Sequence, residues 1–331
     1  MIGVGLIGYG LGGSVFHAPL IRAEPRLRLH AVVTSRADQV RRDLPGVAVV
    51  ATAGELLEDP AVELVVVTAP NDVHHQLAAA ALRAGRHVVV DKPFTLSAGE
   101  ADELIALAEA AGRRLSVFHN RRWDGDFLTV RRAVEAGVLG EVASFVSRYD
   151  RFRPAPKGSW KEAAGPGSGL LWDLGPHLID QAIALFGPPR TVWADLGVQR
   201  PEVEAVDYVH LVLGYGRLRA VLHAGMLVRD PGPRFEVHGD RGSLVTWGLD
   251  RPEVHANLTC EVAGLELRGR LEGVATASGD FYAAMAAAVA GEAPVPVAPA
   301  EARAAVAVIE HALASAREGR VVEVAGAAPS G

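Results

Sequence analysis

Apolar and polar positions along this chain fall into two regimes. Up to about residue 120, short apolar runs alternate with longer amphipathic stretches. The runs are the residues leading into Gly8, then Leu27 to Thr34, Leu64-Val65-Val66-Val67-Thr68, His87-Val88-Val89-Val90-Asp91 and Leu115-Ser116-Val117-Phe118. Short continuous apolar runs of this kind predict strands buried on both faces. Between them Asp72 to Ala84 and Ser97 to Ala111 predict helices, the second opened by a capping-box pair, Ser97 and Glu100. Alternating strand and helix predicts a parallel, doubly wound α/β sheet.

Past that point the order changes. A helix from about Phe127 to Ala136 leads to a strand, Val142 to Tyr149, and a loop rich in Arg, Pro and Gly from Asp150 to Gly169. The next helix starts near Asp173. Strands then dominate: Thr191 to Gln199, Val206 to Tyr215, Leu218 to Leu227, Arg234 to His238 and Ser243 to Trp247, several with visible alternation. Gly216 and Gly239-Asp240-Arg241-Gly242 supply turn chemistry, so an antiparallel sheet is predicted. Two alanine-rich helices and a strand, Arg320 to Val324, follow. The division predicted is 1–120 for the first domain and 121–331 for the second.

Composition narrows the choices. With 331 residues, 49% hydrophobic and 22% charged, the chain can build two packed cores, and only Ala325 to Gly331 resembles a disordered tail. A net charge of -6 argues against nucleic acid as a partner. Cys260 is the sole cysteine, which rules out an intrachain disulfide and a cysteine zinc cluster and suits a reducing, cytoplasmic compartment. It is expected to be a buried small side chain. No secretory signal precedes the first strand, and Gly, Pro, Glu and Arg bound or interrupt the alanine-rich stretches before a membrane-spanning length is reached.

Candidate chemistry sits in three places. Gly8-Tyr9-Gly10-Leu11-Gly12-Gly13 follows the first apolar run and precedes a short helix expected over Ser14 to Arg22. In a dinucleotide-binding turn Gly8 permits the tight bend, Gly10 admits the pyrophosphate, and Gly13 lets helix and strand pack closely. At the end of the second strand the chain reads Val33-Thr34-Ser35-Arg36, where an NAD enzyme usually carries an acid. Two hydroxyls and a guanidinium suit a 2′-phosphate, which favours NADP; Arg36 could otherwise be a solvated helix-start residue. Asp91-Lys92-Pro93 ends the fourth run, with Pro93 disfavouring helical backbone at Lys92, so that its ammonium can be aimed over the sheet edge.

The third place is Trp172-Asp173-Leu174-Gly175-Pro176-His177-Leu178-Ile179-Asp180. At helical spacing Asp173, His177 and Asp180 share a face, presenting an imidazole that titrates near neutrality beside a carboxylate. A capped helix with a satisfied histidine is the plainer alternative. A shared metal ion is another, but no His or Cys cluster lies nearby, and no metal is assigned.

These motifs together resemble the glucose-fructose oxidoreductase/inositol dehydrogenase/MocA family, and within it the NADP-dependent scyllo-inositol dehydrogenase-like group. The resemblance covers the chain from first strand to last helix. It rests on Gly8 to His17, Thr68-Ala69-Pro70-Asn71-Asp72-Val73-His74, Asp91-Lys92-Pro93, His119-Asn120-Arg121-Arg122-Trp123-Asp124 and Asp173-Leu174-Gly175-Pro176-His177. It implies an N-terminal Rossmann domain and a C-terminal α+β domain whose large open, mainly antiparallel sheet often mediates oligomerisation. The implied reaction is reversible oxidation of a sugar or cyclitol hydroxyl.

Carried over by the resemblance, Lys92, Asp173 and His177 are the catalytic trio. Gly8, Tyr9, Gly10, Leu11, Gly12 and Gly13 hold the cofactor, with Thr34, Ser35 and Arg36 at its adenosine end. Ala69, Pro70, Asn71, His74, Asp91 and Lys92 line its nicotinamide side. Asn120 and Arg121 sit where cofactor meets substrate, and Trp160 reaches toward the cofactor. The substrate-binding set is Lys92, Arg122, Asp150, Asp173 and His177; Arg122, Asp150 and Arg153 favour a polyhydroxylated ligand over a flat apolar one. Read without the family, His74 and His75 are helix-start polar residues, and Arg121 to Trp123 a charged turn.

Three departures stand out. The usual Glu-Lys-Pro is Asp91-Lys92-Pro93, the usual Trp-Arg is Trp160-Lys161, and the segment Arg251 to Thr276 is shorter than in close relatives. The last leaves the pocket rim and oligomer interface open. The expected activity is hydride transfer between NADP, or NAD, and a polyol carbon in a homodimer or homotetramer. A non-enzymatic nucleotide sensor and a reductase of a different carbonyl remain the alternatives.

Overall fold

A computed structural model describes residues 1–248 and 254–324. The tail expected at Ala325 to Gly331 and the first residues of the Arg251 to Thr276 segment lie outside the described residues. The chain forms two units, one of Met1–His119 with Ser278–Val306, the other of Asn120–Ala277 with 307–331.

The first unit is built on β1 (Ile2–Ile7), β2 (Leu27–Val33), β3 (Ala48–Val50), β4 (Leu64–Val67), β5 (His87–Asp91) and β6 (Leu115–Phe118). They lie in the order β3-β2-β1-β4-β5-β6, and every pair is parallel. Strand order reverses beside β1, the place where open α/β sheets bind ligands at the carboxyl ends of their strands. The connecting helices are α1 (Ala18–Ala23), α2 (Ala37–Asp43), α3 (Ala53–Glu58), α4 (His74–Arg83) and α5 (Ala98–Ala111). Helix α5 starts as its sequence predicts, with the Ser97 hydroxyl accepting from the Glu100 N–H; the Glu100 carboxylate accepts from Leu96, one residue earlier than the expected partner.

The helix expected over Ser14 to Arg22 is present, its first part a π-helical turn, Gly12–His17, running into α1. Two expectations are corrected here. Strand β3 has no counterpart in the predicted set, because its three residues are exposed or half-buried and give no apolar run. The stretch Ser278–Val306, assigned by sequence to the second domain, packs in the first unit. It carries α9 (Asp280–Val289) and the start of α10 (Pro299–Glu318). Phe118 meets Phe281 edge to face at 4.8 Å, and the Ser116 hydroxyl donates to the Val297 carbonyl at 2.9 Å. The apolar end of β6 is thus covered from the far end of the chain.

The second unit opens with α6 (Gly125–Glu135) and contains a nine-stranded sheet. Its strands are β7 (Val142–Asp150), β8 (Thr191–Gly197), β9 (Tyr208–Tyr215), β10 (Leu218–Gly225), β11 (Phe235–Gly239), β12 (Gly242–Trp247), β13 (His255–Val262), β14 (Leu265–Glu272) and β15 (Val322–Glu323). The order is β14-β13-β12-β11-β7-β10-β9-β8-β15, all antiparallel except β7 with β10. Alternation is clear in β9 to β11: Leu211, Leu213, Leu222 and Val237 are fully buried, while Val212, Val221 and Glu236 are half-exposed on the other face. The inner face packs against α6 and α8 (Gly175–Phe186), the latter following the single turn α7 (Leu170–Asp173). Cys260 is buried, as expected. Among the described residues no helix is long and apolar enough to cross a membrane.

Candidate active site

The glycine turn between β1 and α1 has the geometry of a cradle. Gly8 adopts φ +102°, and a Cβ there would stand 2.8 Å from the Thr68 carbonyl oxygen. A Cβ on Gly13 would stand 2.4 Å from the Gly8 carbonyl oxygen. Both positions therefore exclude side chains, one by backbone conformation and close approach, the other by contact. Gly10 faces open space within 4 Å, which leaves its backbone free to meet a phosphate. The Thr68 hydroxyl donates to the Gly8 carbonyl at 2.8 Å and fixes the turn to the end of β4. Tyr9 contributes backbone only: its ring is buried, and its hydroxyl donates to Asp43 at 3.4 Å. Leu11 is exposed.

Beyond β2, Ser35 and Arg36 are exposed and Thr34 is half-buried. The Arg36 N–H donates to the Thr34 hydroxyl at 3.0 Å, a local turn that places Arg36 at the start of α2. No carboxylate occupies residues 33–36.

The ends of β4 and β5 are stitched together. His74, 1% exposed, bridges the carbonyls of Ala69 and Pro93 at 2.9 and 2.8 Å, so it ties together the two strand-end loops that carry Pro70, Asn71 and Lys92. The Lys92–Pro93 peptide is cis. The Lys92 N–H donates to Asp91 Oδ1 at 2.8 Å. Burial pushes the Asp91 carboxyl up, but the interaction with His17, 3.7 Å away, and the charges of Lys92 and His74 outweigh it and hold the group below its ordinary range.

In the second unit, Asp173 closes α7 and His177 lies in the first turn of α8. The one continuous helix expected here is broken at Leu174, because Pro176 has no N–H to continue the ladder. Asp173 Oδ1 accepts from Lys161 Nζ at 2.6 Å, so the basic residue after Trp160 pairs directly with a candidate catalytic carboxylate. His177 is 7% exposed, and its ring lies 6.3 Å from that of Tyr149. Trp160 is exposed, with the Lys161 ammonium 5.9 Å from its ring centre.

Asn120 opens a short helical turn, Asn120–Trp123. Arg121 donates to Asp124 at 2.8 Å, whereas Arg122 is buried and grips Asp180 on two edges at 2.8 and 2.6 Å. Asp180 is 1% exposed, so the polar stripe predicted on α8 ends in a buried ion pair. Asp150 is likewise buried and accepts from His223 at 2.6 Å.

Residues that the sequence did not single out complete this half. Arg234, 2% exposed, lies 4.1 Å from the Tyr149 ring centre and donates to Ser147 at 2.5 Å and Gln181 at 2.7 Å. Gln181 in turn donates to the Arg121 carbonyl at 3.0 Å. Only tertiary contact brings Arg234 to α8, so no local sequence signal could have marked it. Among the described residues, no group of three or more His, Cys, Asp or Glu side chains could hold a metal ion.

Comparison with known proteins agrees with this architecture. Residues 2–119 match the model described as "Oxidoreductase family, NAD-binding Rossmann fold", and 131–324 its "C-terminal alpha/beta domain". The uncharacterized oxidoreductase YdgJ of Escherichia coli K12 is 52% identical over 76% of this chain and 73% of its own. The scyllo-inositol 2-dehydrogenase (NADP(+)) IolW of Bacillus subtilis is 38% identical over 97% of this chain and 95% of its own. The structure of yvaA from Bacillus subtilis has a TM-score of 0.93 at 37% identity, covering 98% of both chains. The fold and the glycine cradle are those of an oxidoreductase that uses a nicotinamide dinucleotide. The chain belongs to the Gfo/Idh/MocA oxidoreductase family.

Proposed function

We propose that the chain is an NADP-dependent dehydrogenase of a cyclitol or sugar, of the scyllo-inositol type, with Lys92, Asp173 and His177 carrying the chemistry. The observation that carries the reading is His177, a buried imidazole on the first turn of α8, four residues after a carboxylate held by a lysine ammonium. The relative IolW, matched over nearly its whole length, is named for NADP(+) and scyllo-inositol. Arg36, with no acid beside it, supports the phosphorylated cofactor.

The bound cofactor supplies the hydride acceptor. In the oxidative direction His177 takes the proton of the substrate hydroxyl. Lys92 stabilises the alkoxide that develops there, its approach set by the hydrogen bond from its own N–H to Asp91. Asp173 accepts a neighbouring substrate hydroxyl, while Lys161 orients it. Arg122 and Asp150, engaged by Asp180 and His223, shape the second unit from within rather than offering free donors. In reduction the proton moves reverse. The enzyme acts as a cytoplasmic homodimer or homotetramer, a reading supported by the lone buried cysteine and the half-exposed outer face of the nine-stranded sheet.

Initial rates of NADP+ and NAD+ reduction across a panel of inositols and aldoses test this. Turnover of scyllo-inositol or a related polyol with NADP+ is expected. Activity with NAD+ alone would remove the role given to Arg36, and dinucleotide binding without turnover of any polyol would favour another carbonyl substrate or a sensor.

A further inference from the structure

Asp91 meets two groups within the first unit and lies close under the glycine turn. Its Oδ1 accepts the Lys92 N–H at 2.8 Å. Its Oδ2 lies 2.9 Å from where a Cβ on Gly12 would stand, under the glycine turn. The same oxygen is 3.7 Å from Nε2 of His17. His17 is fully buried, its ring 4.0 Å from that of Phe118, with Nδ1 at 2.6 Å from the Tyr282 hydroxyl.

Tyr282 anchors the other side of the imidazole ring. Its phenol is fully buried, and burial together with the Asp91 charge drives its pKa well above the ordinary value, so it keeps its proton. The hydrogen bond between the Tyr282 hydroxyl and Nδ1 holds the ring with Nε2, its other nitrogen, facing Asp91. A histidine placed only for packing against Phe118 needs neither the Tyr282 hydroxyl at Nδ1 nor a carboxylate in front of Nε2. The charged or titratable groups near this pair are Lys92 and His74 around Asp91, and Tyr282 around His17.

We propose that His17 is a positioning residue for the reaction: through Asp91 it fixes the backbone that carries Lys92 against the glycine turn, and Tyr282 sets the orientation of its ring. The inference rests on the role given to Lys92 above. It also gives α9 a task, since Tyr282 comes from the segment that returns to the first unit near the end of the chain.

The test uses the full chain with His17→Gln, Tyr282→Phe and Lys92→Ala. In the cofactor-free protein, the Asp91 carboxyl is titrated by carbon NMR, with Asp91→Asn to assign it. Its midpoint is expected to rise in His17→Gln and, less, in Tyr282→Phe, because the interaction with His17, 3.7 Å away, helps to lower it. NADPH affinity is expected to stay within about threefold while kcat falls about tenfold. Adding His17→Gln to Lys92→Ala is expected to cause no further loss of kcat, as for residues acting in one chain. An unmoved Asp91 midpoint in both variants, or losses that multiply, would overturn the proposal. If the unmodified protein oxidises no polyol, the functional reading falls, and the Asp91 titration alone decides whether His17 holds Asp91.

Discussion

Asp124 keeps its proton to about pH 6, because burial and the nearby Asp126 charge outweigh the ion pair with Arg121 and the charge of Arg234. A carboxyl with a raised folded-state pKa stabilises the fold below its unfolded value, and that stability is lost as pH rises through the folded value. Between about pH 4 and pH 6 the unfolding free energy is expected to fall, by about 2–3 kcal/mol from this group, and Asp124→Asn to flatten that slope. Denaturant titrations at several pH values check it; an unchanged slope would show that another group is responsible. For catalysis, Lys92→Ala and His177→Ala are each expected to lower turnover on the order of a hundredfold while cofactor affinity changes less. Turnover unchanged in both would remove them from the chemistry. Lys92 and His177 could be marked as candidates because each stands in a local motif, whereas Arg234 and the His17–Tyr282 contact join residues far apart in sequence.

At the scale of elements, the glycine turn is the piece whose sequence and geometry correspond most directly. Gly13→Ala would press a methyl against the Gly8 carbonyl, and overpacking of this kind costs about 1–3 kcal/mol. A lowered Tm and weaker dinucleotide binding are expected together; a variant that melts and binds like the parent would show that the turn relaxes freely. Strands with a buried face announced themselves through apolar runs or alternation. The edge strands β3 and β14 did not: β3 is short and half-exposed, and β14 is exposed along nearly all its length. These two bury too little to leave an apolar signature, and β14 with β13 falls in the segment that the sequence left unassigned. The break between α7 and α8 was foreshadowed by Pro176, yet side-chain spacing alone favoured one helix.

For the whole molecule, the order of elements revealed two architectures, but sequence order alone could not show that the chain returns. Phe281, Tyr282 and Val297 are fully buried in the first unit, against β6 and His17. A fragment ending at His119 would expose Phe118 and leave Ser116 without its Val297 partners. It is expected to lack a cooperative unfolding transition, and a fragment that unfolds cooperatively on its own would refute this dependence. The central claim, direct hydride transfer from a polyol carbon to NADP, is tested most directly with a polyol deuterated at its carbinol carbons. The account predicts deuterium at C4 of the reduced nicotinamide; reduced cofactor without the label, or no reduction at all, would contradict it.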